Sequence, residues 1–360
     1  MTTGRFDTVV IGGGQAGLAV GRYLKPQRRD FVIVDAHHSL GRAWRDRWDS
    51  LRLFTPAHWT HLPGMRFPAG RRHLPSKDEM ANYLARYAAR FDLPVMLGCR
   101  VDELSRDRDG FLIRSDRHTV RAGNVVVATG PAGAPRVPPF ARDLDPAILA
   151  LHSAGYRNPA QLRAGATLVV GAGNSGAEIA MELAPTRRTL LAGPDTGRIP
   201  ITLGGPVFKI MNRLLTADTE RGRRFAANHA DKGTPLVRVR PADLSRAGVE
   251  RLPRVAAVRA GRPVLADGRV LDVTNVIWCT GYTPDYSWIT LPGVPSDTHP
   301  AHRKGVTDQP GLYFVGLPYQ TTMASSLVGG VGADARYIAG QIAARNSTAP
   351  DHAPPACYRR

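Results

Sequence analysis

The sequence predicts an α/β chain built from two dinucleotide-binding units, and two observations carry that expectation. A glycine fingerprint occurs twice, as Gly12-Gly13-Gly14-Gln15-Ala16-Gly17 and as Gly171-Ala172-Gly173-Asn174-Ser175-Gly176. Each copy stands between a short β-rich run and a helical pattern, the setting in which such glycines hold a pyrophosphate. Two sites of this kind in one chain suggest two redox cofactors passing electrons to each other.

The first copy follows the strand pattern Phe6 to Ile11 and precedes the helical pattern Leu18 to Leu24. Gly12 permits the tight turn, Gly14 lets the backbone approach a phosphate, and Gly17 lets the helix pack closely on the strand. The amides and dipole of that helix, which Gln15 and Ala16 open, favour an anion. A second β-run, Phe31 to Val34, ends in Asp35. An acid about 20 residues after the fingerprint is placed to bind an adenosine ribose hydroxyl.

The second copy repeats this grammar, with Ala166 to Val170 as strand and Ala177 to Leu183 as helix. The next strand, Thr189 to Ala192, ends in Gly193-Pro194 instead of an acid, and Arg187, Arg188 and Arg198 surround it. Arginine near this point accommodates the 2′-phosphate of NADPH, whereas Asp195 keeps NADH open. Both copies are therefore Rossmann-like.

Between the copies, a loop-rich stretch from Ser39 to Ser76 concentrates Trp44, Trp48, Phe54, Trp59 and Phe67. Such a cluster either lines a planar ligand, of which an isoalloxazine ring is one, or forms a satellite core under a long loop. Ser76 with Glu79 forms a capping box that opens a helix from Lys77 to Phe91. Short strands follow near Val95 to Val101 and Phe111 to Ser115, then a buried strand from Asn124 to Ala128 ending in Thr129-Gly130. After a proline-rich crossover from Pro131 to Pro139, the pattern recurs. The strand Val276 to Cys279 ends in Thr280-Gly281, so each unit closes on a Thr-Gly return. Gly311 to Gly316 reads as a further strand and Gly332 to Ala344 as a closing helix with apolar positions at helical spacing. The expected division is 1–150, 151–276 and 277–345, the second unit inserted into the first, with a disordered tail over 346–360.

Composition narrows the class. At 360 residues the chain has material for two domains. No apolar run approaches the roughly 18 residues that would suggest a membrane span, and the first strand begins too early for a signal peptide, so a cytoplasmic location without membrane association is expected. The net charge of +18 is dispersed, with no basic stripe interleaved with aromatics, which argues against specific nucleic-acid binding. The three cysteines, Cys99, Cys279 and Cys357, form no C-x-x-C pair, so neither a zinc site nor a reductase dithiol is written here, and no metal is expected. A homodimer is one arrangement the sequence allows.

Taken together, these residues resemble the two-dinucleotide-binding-domain flavoproteins, and among them the class B flavin-containing monooxygenases of the bacterial and plant auxin-forming type. The resemblance spans roughly Phe6 to Ala344. It rests on Gly41-Arg42-Ala43-Trp44 with Ser50 to Pro56, on Gly173 to Glu178, on Cys279 to Tyr282 and on Gly311 to Gly316, in that order. It implies FAD at the first fingerprint, flanked by Ala43, Trp44, Thr129 and Gly130, with Val101 beside the adenine. It implies NADPH at the second, and a C-terminal segment that brings Gly316, Ser326 and Leu327 to the flavin. The family's motif F-x-G-x-x-x-H-x-x-x-Y is half present: His152 and Tyr156 match, while Pro146 and Ile148 hold the Phe and Gly positions.

The implied reaction is hydride transfer from NADPH to FAD, then reaction with O2 to give a C4a-(hydro)peroxyflavin that oxygenates a small organic substrate. Such a cofactor carries the chemistry itself, so an evident acid–base pair is not required. Asn174, His152 and Tyr156 are the candidate catalytic residues, and the aromatic loop is expected to wall the substrate side. His58 and His61 are expected at the surface. Two other readings keep the cofactors: a flavin reductase or oxidase that releases peroxide or passes electrons to an acceptor, and a redox sensor without rapid turnover. The segment from Pro200 to Arg238, with its apolar helical stretch Val207 to Leu215, is open to three readings: an active-site cover, a subunit contact or ordinary core.

Overall fold

A computed structural model describes residues 2–130, 133–199, 203, 205–224 and 235–346; the proposed tail and part of the segment after Pro200 lie outside the described residues. In chain order the elements begin with β1 (Thr2–Ile11), α1 (Gln15–Leu24), β2 (Phe31–Val34), the single turn α2 (Arg42–Arg45) and α3 (Lys77–Arg90). Then come β3 (Val95–Met96), β4 (Val101–Asp107), β5 (Gly110–Ser115), β6 (His118–Val127) and β7 (Ala134–Pro135). The middle of the chain supplies β8 (Leu149–His152), β9 (Thr167–Val170), α4 (Asn174–Leu183), β10 (Thr189–Ala192), α5 (Pro206–Leu214) and α6 (Pro241–Arg246). It continues through β11 (Glu250–Leu252), β12 (Val255–Arg259), β13 (Arg262–Leu265) and β14 (Asn275–Trp278), and ends with β15 (Tyr282–Thr283), β16 (Leu312–Phe314) and α7 (Val331–Asn346).

Among the described residues the strands form two larger sheets. The first has the order β3-β2-β1-β6-β5-β4, with β16 beside the far end of β6. Its central strands run parallel, and β4, β5 and β6 form an antiparallel meander at one edge. The second sheet, β11-β10-β9-β14-β8, is parallel throughout. Fully buried four-residue runs such as Phe31–Val34, Thr167–Val170 and Thr189–Ala192 are what a parallel sheet covered on both faces demands.

The second sheet is drawn from the chain between Leu149 and Trp278, whereas β16 and α7 return to the first, so one unit is inserted into the other. Both crossings pass through the same place, where β7 and β15 pair antiparallel just after the two Thr-Gly returns. The capping box at Ser76 and Glu79 is present, and Phe91 follows the last turn of α3 as its C-cap.

The segment after Pro200 packs on the C-terminal turn. Asn212 Oδ1 accepts from Ala324 N (3.1 Å), Tyr319 Oη donates to Leu215 O (2.9 Å), and Lys304 pairs with Asp218 at 2.6 Å. Phe208 is buried against Trp59, while Val207, Ile210 and Leu214 are exposed along the other face of α5.

Candidate functional site

The two fingerprint turns are built alike. Gly12 and Gly171 have φ of 110° and 107°, and a Cβ on either would stand 2.5 Å from Ala128 O or 2.3 Å from Cys279 O. A Cβ on Gly17 would lie 1.9 Å from Gly12 O, and one on Gly176 1.8 Å from Gly171 O, so both helices pack against their turns at a distance only glycine allows. Gly14 and Gly173 cap α1 and α4 in the same extended conformation, without a side-chain cap and without an acid in the first turn. Their first-turn N–H groups are thus left for a ligand, whereas on α3 Glu79 N donates to Ser76 Oγ and Lys77 N to Leu51 O. Space is open around Gly14 and around Gly130, where a Cβ would meet nothing within 4 Å. A dinucleotide phosphate fits this cradle.

The surroundings of the two turns differ. At the end of β2, Asp35 Oδ2 accepts from Gly13 N (2.7 Å), and Oδ1 accepts from His37 N (2.8 Å). Cys99 N donates to Asp35 O, which draws the start of β4, and Val101 with it, toward the same corner. Ala16 faces Gly316, whose Cβ would be 3.0 Å away, and Thr129 follows Ala128 beside Gly12. Beyond β10 no acid occupies the corresponding place. Arg188 is paired with Glu250 (3.1 Å), and Arg187 donates to Arg163 O and Pro159 O, so both are held away from the turn. Arg198 is exposed on the loop bridged to Leu236, and Arg251, which sequence reasoning missed, reaches Gly193 O at 3.4 Å.

Between the turns lies a cleft of about 220 Å³ whose wall draws on both units and on the aromatic loop. Gln15 Nε2 donates to Ser326 O (3.0 Å), and Trp44 Nε1 donates to Gln15 Oε1 (3.3 Å), so three predicted residues form one chain of hydrogen bonds along it. Trp44, Trp48, Phe54 and Leu327 supply apolar surface, and Ala43 is exposed one position before Trp44 on α2. Asn174, Ser175 and Glu178 supply the face from α4. Arg47 donates to Tyr282 Oη (2.8 Å) and Arg52 to Leu74 O (3.2 Å); among the described residues neither cation in the wall has a carboxylate partner. The aromatic loop is divided. Trp59 packs edge-on to Phe208 (5.4 Å) and Phe67 stacks on Tyr83 (5.0 Å), so these two belong to the core.

The candidate catalytic side chains are engaged within the protein. Asn174 is a clasp: its Nδ2 donates to Pro235 O (3.0 Å) and its Oδ1 accepts from Val237 N (3.0 Å). His152 Nδ1 accepts from Ala154 N (3.1 Å), which leaves Nε2 to donate to Gly281 O (3.0 Å), and burial lowers its pKa. The same turn ties Thr280 Oγ1 to Arg136 O. Tyr156 is fully buried and its hydroxyl donates to Glu182 Oε2 at 2.6 Å, with burial raising its pKa. His58 is bonded to Arg71 O at the surface.

Sequence reasoning also passed over Glu178. It is 8% exposed, it faces the cleft, and burial pushes its carboxyl up to about 7 against the opposing pull of Arg238. The one available signal was its position four residues after Asn174, on the same helix face.

Comparison with known proteins agrees with this geometry. Residues 9–191 match the family described as pyridine nucleotide-disulphide oxidoreductase. An "Uncharacterized oxidoreductase CzcO-like" of Geobacillus kaustophilus is 39% identical over 340 residues, covering 93% of this chain and 98% of that protein. The "Probable indole-3-pyruvate monooxygenase YUCCA7" of Arabidopsis thaliana is 28% identical, over 86% of this chain and 82% of its own length. Among solved structures, a flavin-containing monooxygenase from Stenotrophomonas maltophilia superposes with a TM-score of 0.76 at 28% identity, covering 94% and 98% of the two chains. Dithiol chemistry does not follow from membership of this family, since no C-x-x-C pair is present and burial pushes the Cys279 thiol up to about 12. Among the described residues no helix is long and apolar enough to cross a membrane, and no group of side chains could hold a metal. The chain is an oxidoreductase of the pyridine nucleotide-disulphide oxidoreductase family, and within that family it stands with the class B flavin-containing monooxygenases.

Proposed function

We propose that the protein is an NADPH-dependent, FAD-containing monooxygenase that oxygenates a small organic substrate, with residues 1–150 and 277–345 holding FAD and 151–276 holding NADPH. One observation carries this: Gln15 from the first fingerprint and Asn174 and Ser175 from the second line a single cleft, together with Trp44 and Ser326. Two cofactors seated on the two turns would bring their reactive ends together there. Bound FAD, reduced by NADPH, supplies the electrons that activate O2. The protein's task is alignment and exclusion of water. In this reading Asp35 binds the ribose of FAD, the open amides of α1 and α4 take the two pyrophosphates, and Arg198 with Arg251 receives the 2′-phosphate. Trp44, Trp48 and Phe54 suit an apolar substrate body, and Arg47 and Arg52 suit an anionic group on it.

The test is anaerobic reduction of the FAD-loaded protein by NADPH, followed by mixing with O2, with peroxide release measured against oxygen uptake. Peroxide withheld, and oxygen recovered in an added organic substrate, supports the monooxygenase. Indole-3-pyruvate, the compound named for the plant relatives, is the first to try. Stoichiometric peroxide across a substrate screen supports the oxidase, which the Pro146 and Ile148 departures favour. Binding of FAD without reduction supports the sensor.

A further inference from the structure

The carboxyl of Glu178 has a setting that the alignment of cofactors does not explain. It lies in the second turn of α4, on the face that carries Asn174 and Ser175 into the cleft, which Gln15 and Trp44 also line. Its side chain is 7% exposed. Among the described residues no hydrogen-bond partner holds its carboxyl at short range. Among the described residues its ionic neighbour is Arg238, whose Nε stands 3.6 Å from Oε1 and which is itself anchored through Nη1 to Arg52 O (3.3 Å). Arg238 arrives on the segment that Asn174 clasps at Pro235 and Val237, so one helix face positions both the carboxyl and the cation opposite it.

A buried carboxylate held only by a long contact is a poor structural device. Removing such a charge from water costs more than an imperfect pair returns. The other charged groups nearby do not change this. Arg47 and Arg52 line the same cleft from the aromatic loop, with their guanidiniums on Tyr282 Oη and Leu74 O, and Glu182, one turn further along α4, is occupied by Tyr156 Oη. Gln15, Trp44 and Ser326, which share the cleft, carry no charge.

We propose that Glu178 is the proton-exchanging group of this cleft: as the acid it gives a proton to a basic atom of the ligand undergoing reaction, and as the carboxylate it takes a replacement from water at the cleft mouth. One proton leaves and one returns, with no change in oxidation state at the side chain. Arg238 is the positioning residue, and its charge sets how readily the proton is released. The elevated affinity that burial confers on the carboxyl suits this exchange near neutral pH. The proposal rests on the reading of the cleft as the meeting place of the two cofactors.

The test uses the FAD-loaded protein. A carboxylate forming beside the flavin perturbs its absorbance, so the resting oxidised spectrum is titrated between about pH 5.5 and 9, a range that brackets the Glu178 carboxyl. A single-proton step near 7 is expected in the wild type. It should vanish in Glu178→Gln, survive in Glu178→Asp, and move to higher pH in Arg238→Gln, because the cation that favours the carboxylate is gone. Turnover with NADPH should fall at least about tenfold in Glu178→Gln with the KM for NADPH little changed, and recover in part in Glu178→Asp. No step in the wild type, a step that persists in Glu178→Gln, or turnover unaffected by that change would overturn the proposal. A wild type that NADPH does not reduce is the failure of the cofactor reading instead. It removes the reaction Glu178 would serve and overturns this proposal with it, while an intact titration step distinguishes that case from an error about Glu178 itself.

Discussion

The two fingerprint turns place nearly identical backbones in different company. Gly14 and Gly173 differ by about a degree in φ and ψ, with φ of −77° and −76°, and each opens a helix with no side-chain cap. Around the first turn everything is tied inward: Asp35 holds Gly13 N, Gln15 reaches Ser326, and Gly316 presses on Ala16. Around the second, the place of Asp35 is taken by Gly193, and the helix-opening side chain, Asn174, holds a neighbouring loop. The backbone suits the same phosphate twice, and on the proposed assignment the surroundings distinguish the cofactor that stays from the one that is exchanged. A first site closed by its own contacts suits a resident group, and a second with exposed Arg198 suits a ligand that comes and goes.

The largest expected effects break the turns one at a time. Gly17→Ala and Gly176→Ala each drive a Cβ into a backbone oxygen, at 1.9 and 1.8 Å, that cannot move without its strand. Each should cost about 3 kcal/mol of stability. Gly17→Ala should yield protein without flavin absorbance, and Gly176→Ala should yield flavoprotein that NADPH reduces poorly. Loss of flavin from both would contradict the assignment of one cofactor to each turn.

A smaller effect sharpens the contrast at the strand ends. Asp35→Ala leaves Gly13 N without its acceptor and removes the proposed ribose ligand, so FAD affinity should fall about 10- to 100-fold, as for loss of a hydrogen bond to a charged group. Arg198→Ala should raise the KM for NADPH about tenfold and leave that for NADH unchanged, the signature of a lost phosphate contact. Equal losses for both nucleotides would remove Arg198 from the 2′-phosphate site.

Much of this architecture was legible because buried parallel strands and glycine turns are local signals. Thr189 to Ala192 is a strand over the residues expected, since a run of four ended by Gly193-Pro194 is too short for a helix and suits a strand covered on both faces. β1 runs four residues earlier than the pattern beginning at Phe6, because Thr2 to Arg5 gain their ladder from His118 to Arg121, pairing that hydropathy cannot reveal. The aromatic loop was ambiguous for the same reason: Trp44 and Trp59 differ in which distant residue meets them, Gln15 or Phe208. Glu178 was barely legible as a site residue, its spacing from Asn174 being the one signal. In the run Ala177 to Leu183 it reads as one turn of a helix's polar face, and its contact with Arg238 comes from a segment well downstream that Asn174 clasps.

Stability against pH offers an opposed pair within the second unit. The carboxyl of Glu178 is raised from 4.5 to about 7, so the folded state binds its proton more tightly than the unfolded chain, and stability from this group is present below 4.5 and lost as pH rises to 7. His152 is lowered from 6.5, chiefly by burial, so its contribution is present above 6.5 and lost as pH falls. Glu178→Gln should therefore raise the melting temperature at pH 8 more than at pH 5, by the equivalent of about 2 kcal/mol. His152→Gln should flatten the acid side instead. A Glu178→Gln gain that is the same at both pH values would place the carboxyl's titration outside the neutral range.

The smallest effect separates support from chemistry at the half-present motif. Tyr156→Phe deletes only the hydroxyl that donates to Glu182 Oε2 at 2.6 Å and keeps the buried ring. If the residue braces the end of α4, the change should cost about 1.5 kcal/mol, in the range for a hydrogen bond to a charged group. Flavin content, NADPH reduction and turnover below the melting point should then stay within about a factor of two, since that cost unfolds little of the protein. If the hydroxyl takes part in the reaction, turnover should fall while stability hardly moves. Melting temperature and turnover measured on one preparation decide between these, because the phenol lies outside the cleft wall that Glu178 shares with Asn174.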